Sequence, residues 1–208
     1  MIVVTIISTN NGIYFHGKRH NNNIALTFDD GPNSPYTEEI LKILKENKIK
    51  ATFFVTGKNV ENYPGIIKNI SLEGHEIGIH SYSHKLLLFR GKEFQETEIK
   101  EQKRKIEGLI KKKVELFRPP YGIFNFATLN IAKENSLKVI LWDVFPRDYR
   151  NKENAIIKKV MGKTNKGSII VLHDGGGNRE ETVKSLSFII KRLKEKGHNF
   201  VTVSELVP

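Results

Sequence analysis

The chain has 208 residues, with 34 Lys and Arg against 23 Asp and Glu, a formal net charge of +11. That length holds one sizeable core and is short for two ordinary domains, and an apolar share of 38% without low-complexity stretches excludes a disordered tail. The absence of cysteine excludes disulfides and thiolate ligands, so any metal must be held by His, Asp or Glu.

The N-terminal run Met1-Ile2-Val3-Val4-Thr5-Ile6-Ile7 is too short to span a membrane and lacks a basic leader. It reads either as the remnant of a trimmed export signal or as an added strand. Residues 1–21 are therefore taken as an N-terminal extension or extra strand, ahead of one domain over 22–208. Apolar, β-branched runs then recur at 24–28, 51–55, 76–79, 114–117, 139–142, 168–172 and 200–203.

Helical periodicity fills most of the intervals. Ser34-Pro35 predicts an N-cap and first turn, followed by the stripe Ile40, Leu41, Ile43 and Leu44. Ile99, Ile106, Leu109 and Ile110 form a second stripe, and Val183, Leu186, Ile190 and Leu193 a third. Near-continuous apolar strands alternating with amphipathic helices predict an α/β fold, a parallel sheet covered by helices. Periodicity does not separate an open sheet from a barrel, but in both the ligands gather at the C-terminal strand ends.

Titratable residues collect at those ends. Asp29-Asp30 follow the first run, His80 the third, and Arg118 the fourth; Asp143 and Asp148 follow the fifth, and His173-Asp174 the sixth. Two adjacent carboxylates repel each other and persist where something positive divides their roles. One aspartate with His80 and His84 makes three N/O ligands, which leaves a zinc-like ion an open position for water. The second aspartate is then placed to take that water's proton. The pattern predicts a hydrolase that uses metal-bound water.

Five segments carry a resemblance to a known family. Thr27-Phe28-Asp29-Asp30-Gly31-Pro32, His80-Ser81-Tyr82-Ser83-His84, Arg118-Pro119-Pro120-Tyr121-Gly122, Trp142 to Tyr149, and Val171-Leu172-His173-Asp174 resemble, in order, the five motifs of polysaccharide deacetylases. This group shares the NodB homology domain and forms carbohydrate esterase family 4. The resemblance implies a distorted, TIM-like (β/α) barrel of about seven parallel strands and a divalent metal, usually Zn2+, with Co2+, Mn2+ or Fe2+ as alternatives. It implies removal of N-acetyl groups from N-acetylglucosamine-containing glycans such as peptidoglycan or chitin-type oligomers.

Carried over by position, the resemblance makes Asp30, His80 and His84 the metal ligands, Asp29 the general base and His173 the general acid. Arg118 would pair with Asp29, and Asp148 with His173. The Tyr121 amide would share the developing oxyanion, Leu172 and Trp142 would line the pocket for the acetyl methyl and sugar face, and Tyr149 would line the groove. The fourth motif departs from the family's Asp-x-x-Asp-Trp: Phe145 and Tyr149 replace its first and last residues. This predicts altered substrate contacts with the chemistry retained. Asp143 stays open as another partner for His173, and Trp142 as core or pocket wall.

Other residues read more plainly. His16, His20, His75 and His198 are taken as structural, and Lys111-Lys112-Lys113 as solvated surface. Gly175-Gly176-Gly177 reads as a flexible surface loop, with Asp174 capping it or orienting His173. The expected partner is an acetylated glycan, with no nucleic acid and no transmembrane segment, and the protein as a monomer. The basic balance suits an extracytoplasmic place beside an anionic cell wall. The rival readings are an O-acetyl esterase on xylan-type polysaccharides and a non-catalytic glycan-binding module.

Overall fold

A computed structural model of the chain describes residues 12–207, so the run Met1 to Ile7 lies outside them. The apolar runs form strands β2 (Asn23–Asp29), β3 (Thr52–Val55), β4 (Glu76–Ile79), β5 (Leu116–Phe117), β6 (Lys138–Ile140), β7 (Ile169–His173) and β8 (Asn199–Val201). An additional strand, β1 (Ile13–Tyr14), pairs with β6. The order is β1-β6-β5-β4-β3-β2-β7, with β8 beside the first residues of β2, and every named pair is parallel. Past the end of β6, Val144 makes a parallel bridge with Ile170. The sheet thus curls into the expected TIM-like barrel, distorted because one bridge replaces a full closing ladder.

The helices are α1 (Tyr36–Glu46), α2 (Gly57–Asn62), α3 (Pro64–Leu72), α4 (Lys92–Glu96), α5 (Gln102–Ile110), α6 (Phe126–Glu134), α7 (Glu153–Lys163), α8 (Glu180–Glu195) and α9 (Val203–Leu206). Their apolar stripes meet one face of the strands: Ile40 and Leu44, Ile106, and Leu186 and Ile190 join Phe28, Phe53 and Leu172 in the main core. The opposite strand face forms a smaller barrel interior from Ala25, Phe54, Leu116, Ile140 and Ile169, with Val203 and Leu206 of α9 packed onto it. Gly78 makes this interior possible, since a Cβ there would stand 2.5 Å from the Phe54 ring.

Three elements differ from expectation. Helix α1 starts at Tyr36, and the Ser34 hydroxyl donates to Glu38 Oε1 at 3.1 Å and caps no backbone amide. The last run stops at Val201, because Thr202 and Glu205 form a capping box that turns the chain into α9. The second amphipathic segment, that of Ile99 and Ile106, is interrupted by a π turn over Thr97–Glu101, joining α4 to α5. Among the described residues no helix is long and apolar enough to cross a membrane.

Candidate active site

Strand register brings the expected residues together. Asp29 lies opposite His173 across the β2–β7 pair, so both side chains leave the sheet on the same side at its C-terminal end. Asp30 follows with φ 72°, which turns its carboxylate away from the strand direction. Its carbonyl accepts from Asn59 Nδ2 at 2.7 Å. Ser81, His84 and Tyr121 also hold positive φ, at 60°, 57° and 61°. Such backbone is uncommon for residues with a Cβ and gathers where a site dictates side-chain direction.

Asp30 Oδ1 stands 3.3 Å from His80 Nε2 and 3.1 Å from His84 Nε2. This oxygen is buried and has no hydrogen bond of acceptable geometry. His80 Nδ1–H donates to the Arg118 carbonyl at 2.7 Å, which turns the Nε2 lone pair toward Asp30. Burial alone would raise the Asp30 carboxyl, but the His80 and His84 imidazoles outweigh it and hold it well below the usual carboxylate range. Two imidazole nitrogens converging on an orphaned carboxylate oxygen is the donor set a divalent cation takes, with a coordination position to spare. Asp30, His80 and His84 thus form a candidate metal site.

The loop that carries both histidines is held by a residue the sequence did not single out. Glu98, in the π turn, accepts from Ser83 N at 2.7 Å and from Ser83 Oγ at 2.6 Å, and its carbonyl accepts from Tyr82 N. A π turn leaves no periodic signature in sequence, though such turns favour functional sites. Glu98→Ala is expected to weaken zinc affinity about tenfold, the lower end for residues that orient metal ligands. A competition titration with a chromogenic chelator reads this, and an unchanged affinity would leave Glu98 with no part in the site.

Asp29 is buried against Arg118. The Arg118 side chain is 0% exposed and stacks 4.0 Å over the Phe54 ring centroid, plugging the top of the barrel interior. It donates from Nη1 to Asp29 Oδ1 at 2.6 Å and to Thr27 Oγ1 at 2.8 Å. The remaining donors reach the carbonyls of Ile140 and Leu141, each at 3.1 Å. Asp29 is thereby fixed with its other oxygen, Oδ2, 3.9 Å from His80 Nε2.

The partner of His173 is Asp148. His173 Nδ1–H donates to Asp148 Oδ1 at 2.8 Å, while Oδ2 accepts from His173 N and from Thr182 Oγ1, each at 2.8 Å. Asp143 faces elsewhere, bound to Arg19, Ser168 Oγ and Ile169 N. Burial would push the His173 imidazole down; the hydrogen bond and charge of Asp148, with Asp29 and Asp30 beyond, lift it to about 9. A raised folded value means that its contribution to stability is complete below the unfolded value of about 6.5 and is lost as pH rises through about 9. Asp148→Asn should shift the alkaline limb of kcat/KM to lower pH, because the group loses its proton sooner. An unshifted limb would detach that limb from His173.

Three expectations change. Leu172 lies in the main core between sheet and helices, because alternation along β7 turns it away from His173. Val171, two residues before His173, is the one that shares its face. Gly175 is buried, and a Cβ there would come 2.2 Å from the Asp30 carbonyl. The glycine run is therefore packed against the site at one end, and Arg179 holds it by donating to the carbonyls of Gly175, Gly176 and Asn178. Asp174 does not reach His173. It accepts from Thr37 Oγ1 at 2.7 Å under Gly31, and burial pushes it up to about 7.

The rim is aromatic. Trp142 packs against Phe145 at 5.3 Å between ring centroids, and a Cβ on Gly122 would stand 2.9 Å from its ring. Tyr149 sits edge-on to His173 at 5.3 Å, and Tyr121 edge-on to His84 at 4.8 Å. Tyr149 and Tyr121 are both exposed.

Comparison with known proteins agrees with this geometry. The polysaccharide deacetylase family matches residues 16–140, more than half of the chain. The chain belongs to the polysaccharide deacetylase family, carbohydrate esterase family 4. It is 41% identical over 187 residues to a peptidoglycan-N-acetylglucosamine deacetylase of Bacillus cereus, covering 88% of this chain and 87% of the other. It is 35% identical to a chitooligosaccharide deacetylase of Sinorhizobium fredii, over 84% of this chain and 86% of that one. The crystal structure of a peptidoglycan N-acetylglucosamine deacetylase bound to 4-naphthalen-1-yl-N-oxidanyl-benzamide superposes with a TM-score of 0.93 at 34% identity, over 96% of this chain and 94% of the other.

Proposed function

We propose that the chain is a metal-dependent hydrolase that removes N-acetyl groups from N-acetylglucosamine-containing glycans, peptidoglycan or chitin-type oligomers. The observation that carries this reading is the pairing of Asp29 with His173 across β2 and β7, beside Asp30, His80 and His84. It supports a reading in which a carboxylate base and an imidazole acid act at one rim beside a candidate cation site.

Asp30, His80 and His84 would hold the cation, with Zn2+ the first choice and Co2+, Mn2+ or Fe2+ alternatives. When bound, it supplies Lewis acidity for the acetyl carbonyl and for water. Asp29, held by Arg118, takes the proton of the attacking water as the oxygen–carbon bond forms. The Tyr121 amide, placed by the Pro119-Pro120 corner, donates to the developing oxyanion. His173 gives its proton to the amide nitrogen as the carbon–nitrogen bond breaks, because an amine leaves poorly unless protonated. Asp148 keeps that proton on His173, and acetate and a free amino sugar are released. Trp142 and Tyr149 present aromatic faces to the sugar.

A monomer working outside the cytoplasm is the setting this substrate suggests, and the charge of +11 fits an anionic wall. The test is acetate release from N-acetylglucosamine oligomers, with acetylated xylan in parallel. Release that stops on chelation and returns with zinc supports the proposal. Faster release from xylan would move the substrate to O-acetyl esters, and none from either would leave a glycan-binding module.

A further inference from the structure

Two arginines stand beside His173 with no carboxylate to pair with. Arg147 and Arg150 are exposed, and among the described residues neither side chain forms an ion pair or a hydrogen bond. Each lies against an aromatic ring instead. Arg147 Cζ is 5.9 Å from the centroid of Phe145, and Arg150 Cζ is 5.5 Å from that of Tyr149. The same two rings touch His173, at 6.4 Å and 5.3 Å between centroids. A single ring therefore links each guanidinium to the imidazole.

The loop that carries them is fixed. Asp148, between the two arginines in sequence, is bound to His173 and Thr182 and so cannot serve as their counter-charge. Asn151 Nδ2 donates to the carbonyls of Pro146 at 2.6 Å and Arg147 at 2.9 Å, and Arg150 N donates to the Arg147 carbonyl at 3.0 Å. Arg147 holds φ 57°, an uncommon conformation for a residue with a Cβ and one that persists where the surrounding structure dictates it. The next acid along the chain to be buried in contacts, Glu181, is taken by Lys152 Nζ at 3.1 Å and Glu153 N at 2.8 Å. Two cations are thus mounted on the segment that positions the proton donor, and the protein supplies neither with an anion.

We propose that Arg147 and Arg150 recognise a carboxylate carried by the glycan next to the sugar that loses its N-acetyl group, so that the protein prefers acidic glycans such as peptidoglycan to neutral chitin-type oligomers. A ring that takes the flat face of a guanidinium leaves its N–H edge free, and that edge forks onto a carboxylate with two parallel hydrogen bonds. The carboxylate belongs either to a lactyl ether on the neighbouring sugar or to a peptide attached there. Unpaired charge of one sign beside a reacting group selects a substrate of the opposite sign. The proposal rests on the glycan reading above and names which glycans it favours.

The experiment measures kcat/KM for acetate release from tetrasaccharides: a neutral N-acetylglucosamine oligomer, and peptidoglycan fragments with free lactyl carboxylates, with stem peptides, or with every carboxylate converted to an amide. It is run on zinc-loaded wild type, Arg147→Gln, Arg150→Gln and the double variant. In wild type the acidic-to-neutral ratio should exceed one and shrink as salt is raised. The double variant should lose about fivefold of that ratio, the scale of charge pairs at an exposed rim. Taking the ratio cancels any general loss of activity. The lactyl and stem-peptide arms show which carboxylate is read. A ratio unchanged in the double variant, or a wild-type preference that survives amidation, overturns the proposal. Titration calorimetry with the same fragments needs no turnover. If no glycan releases acetate, yet the acidic fragment binds more tightly only while the arginines are present, the reaction assigned above is wrong and the carboxylate site stands.

Discussion

Asp29→Asn is expected to lower kcat for acetate release by roughly 10³-fold, within the range for losing a positioned general base. Asparagine keeps the shape and one acceptor for Arg118 but cannot take a proton. Because Asp30, His80 and His84 are untouched, zinc affinity should stay near that of wild type, and the pair of measurements separates a lost base from a lost cation. The substitution also leaves the Arg118 guanidinium without its only carboxylate partner among the described residues, so the melting temperature should fall as well. A variant that retains more than about a tenth of wild-type kcat would remove Asp29 from the role of base.

Arg118→Leu should be the most destabilising single change, by about 3–5 kcal/mol in urea unfolding at neutral pH. Leucine fills part of the space over Phe54 but leaves the Asp29 carboxylate buried without a counter-charge, and removes the Arg118 donors to Thr27 Oγ1 and to the carbonyls of Ile140 and Leu141. Burial lowers the Arg118 pKa, with Asp29 opposing the shift; the guanidinium stays charged, and Asp29 is the carboxylate that balances it. Combining Arg118→Leu with Asp29→Asn should lose less than the two changes separately, since both remove one coupled pair. A loss below about 1 kcal/mol for Arg118→Leu would mean that water reaches Asp29 after the change.

These two residues also show what could be read early. Asp29 and Arg118 each end an apolar run, and a parallel sheet turns all such ends to one rim, so their neighbourhood follows from strand direction alone. The contact itself, 2.6 Å inside a barrel top, depends on Gly78 leaving room for Phe54 and on Phe54 supporting the guanidinium. No local pattern announces that stack.

By itself the sequence determined the alternation of strand and helix, the collection of titratable groups at strand ends, and the grouping of one aspartate of the Asp29-Asp30 pair with His80 and His84, the family resemblance pointing to Asp30. Those are properties of periodicity and residue type, which act over a few positions. Tertiary structure decided the parity of β7, which puts Leu172 in the core and turns Val171 to the site. It chose Asp148 over Asp143 as the partner of His173, because Asp143 is consumed by Arg19 and the start of β7. It also recruited Glu98 and Thr182, whose partners lie 15 and 34 positions away along the chain. Hydrogen bonds that cross such distances depend on where packed elements come to rest, and that placement belongs to the whole barrel and to no single segment.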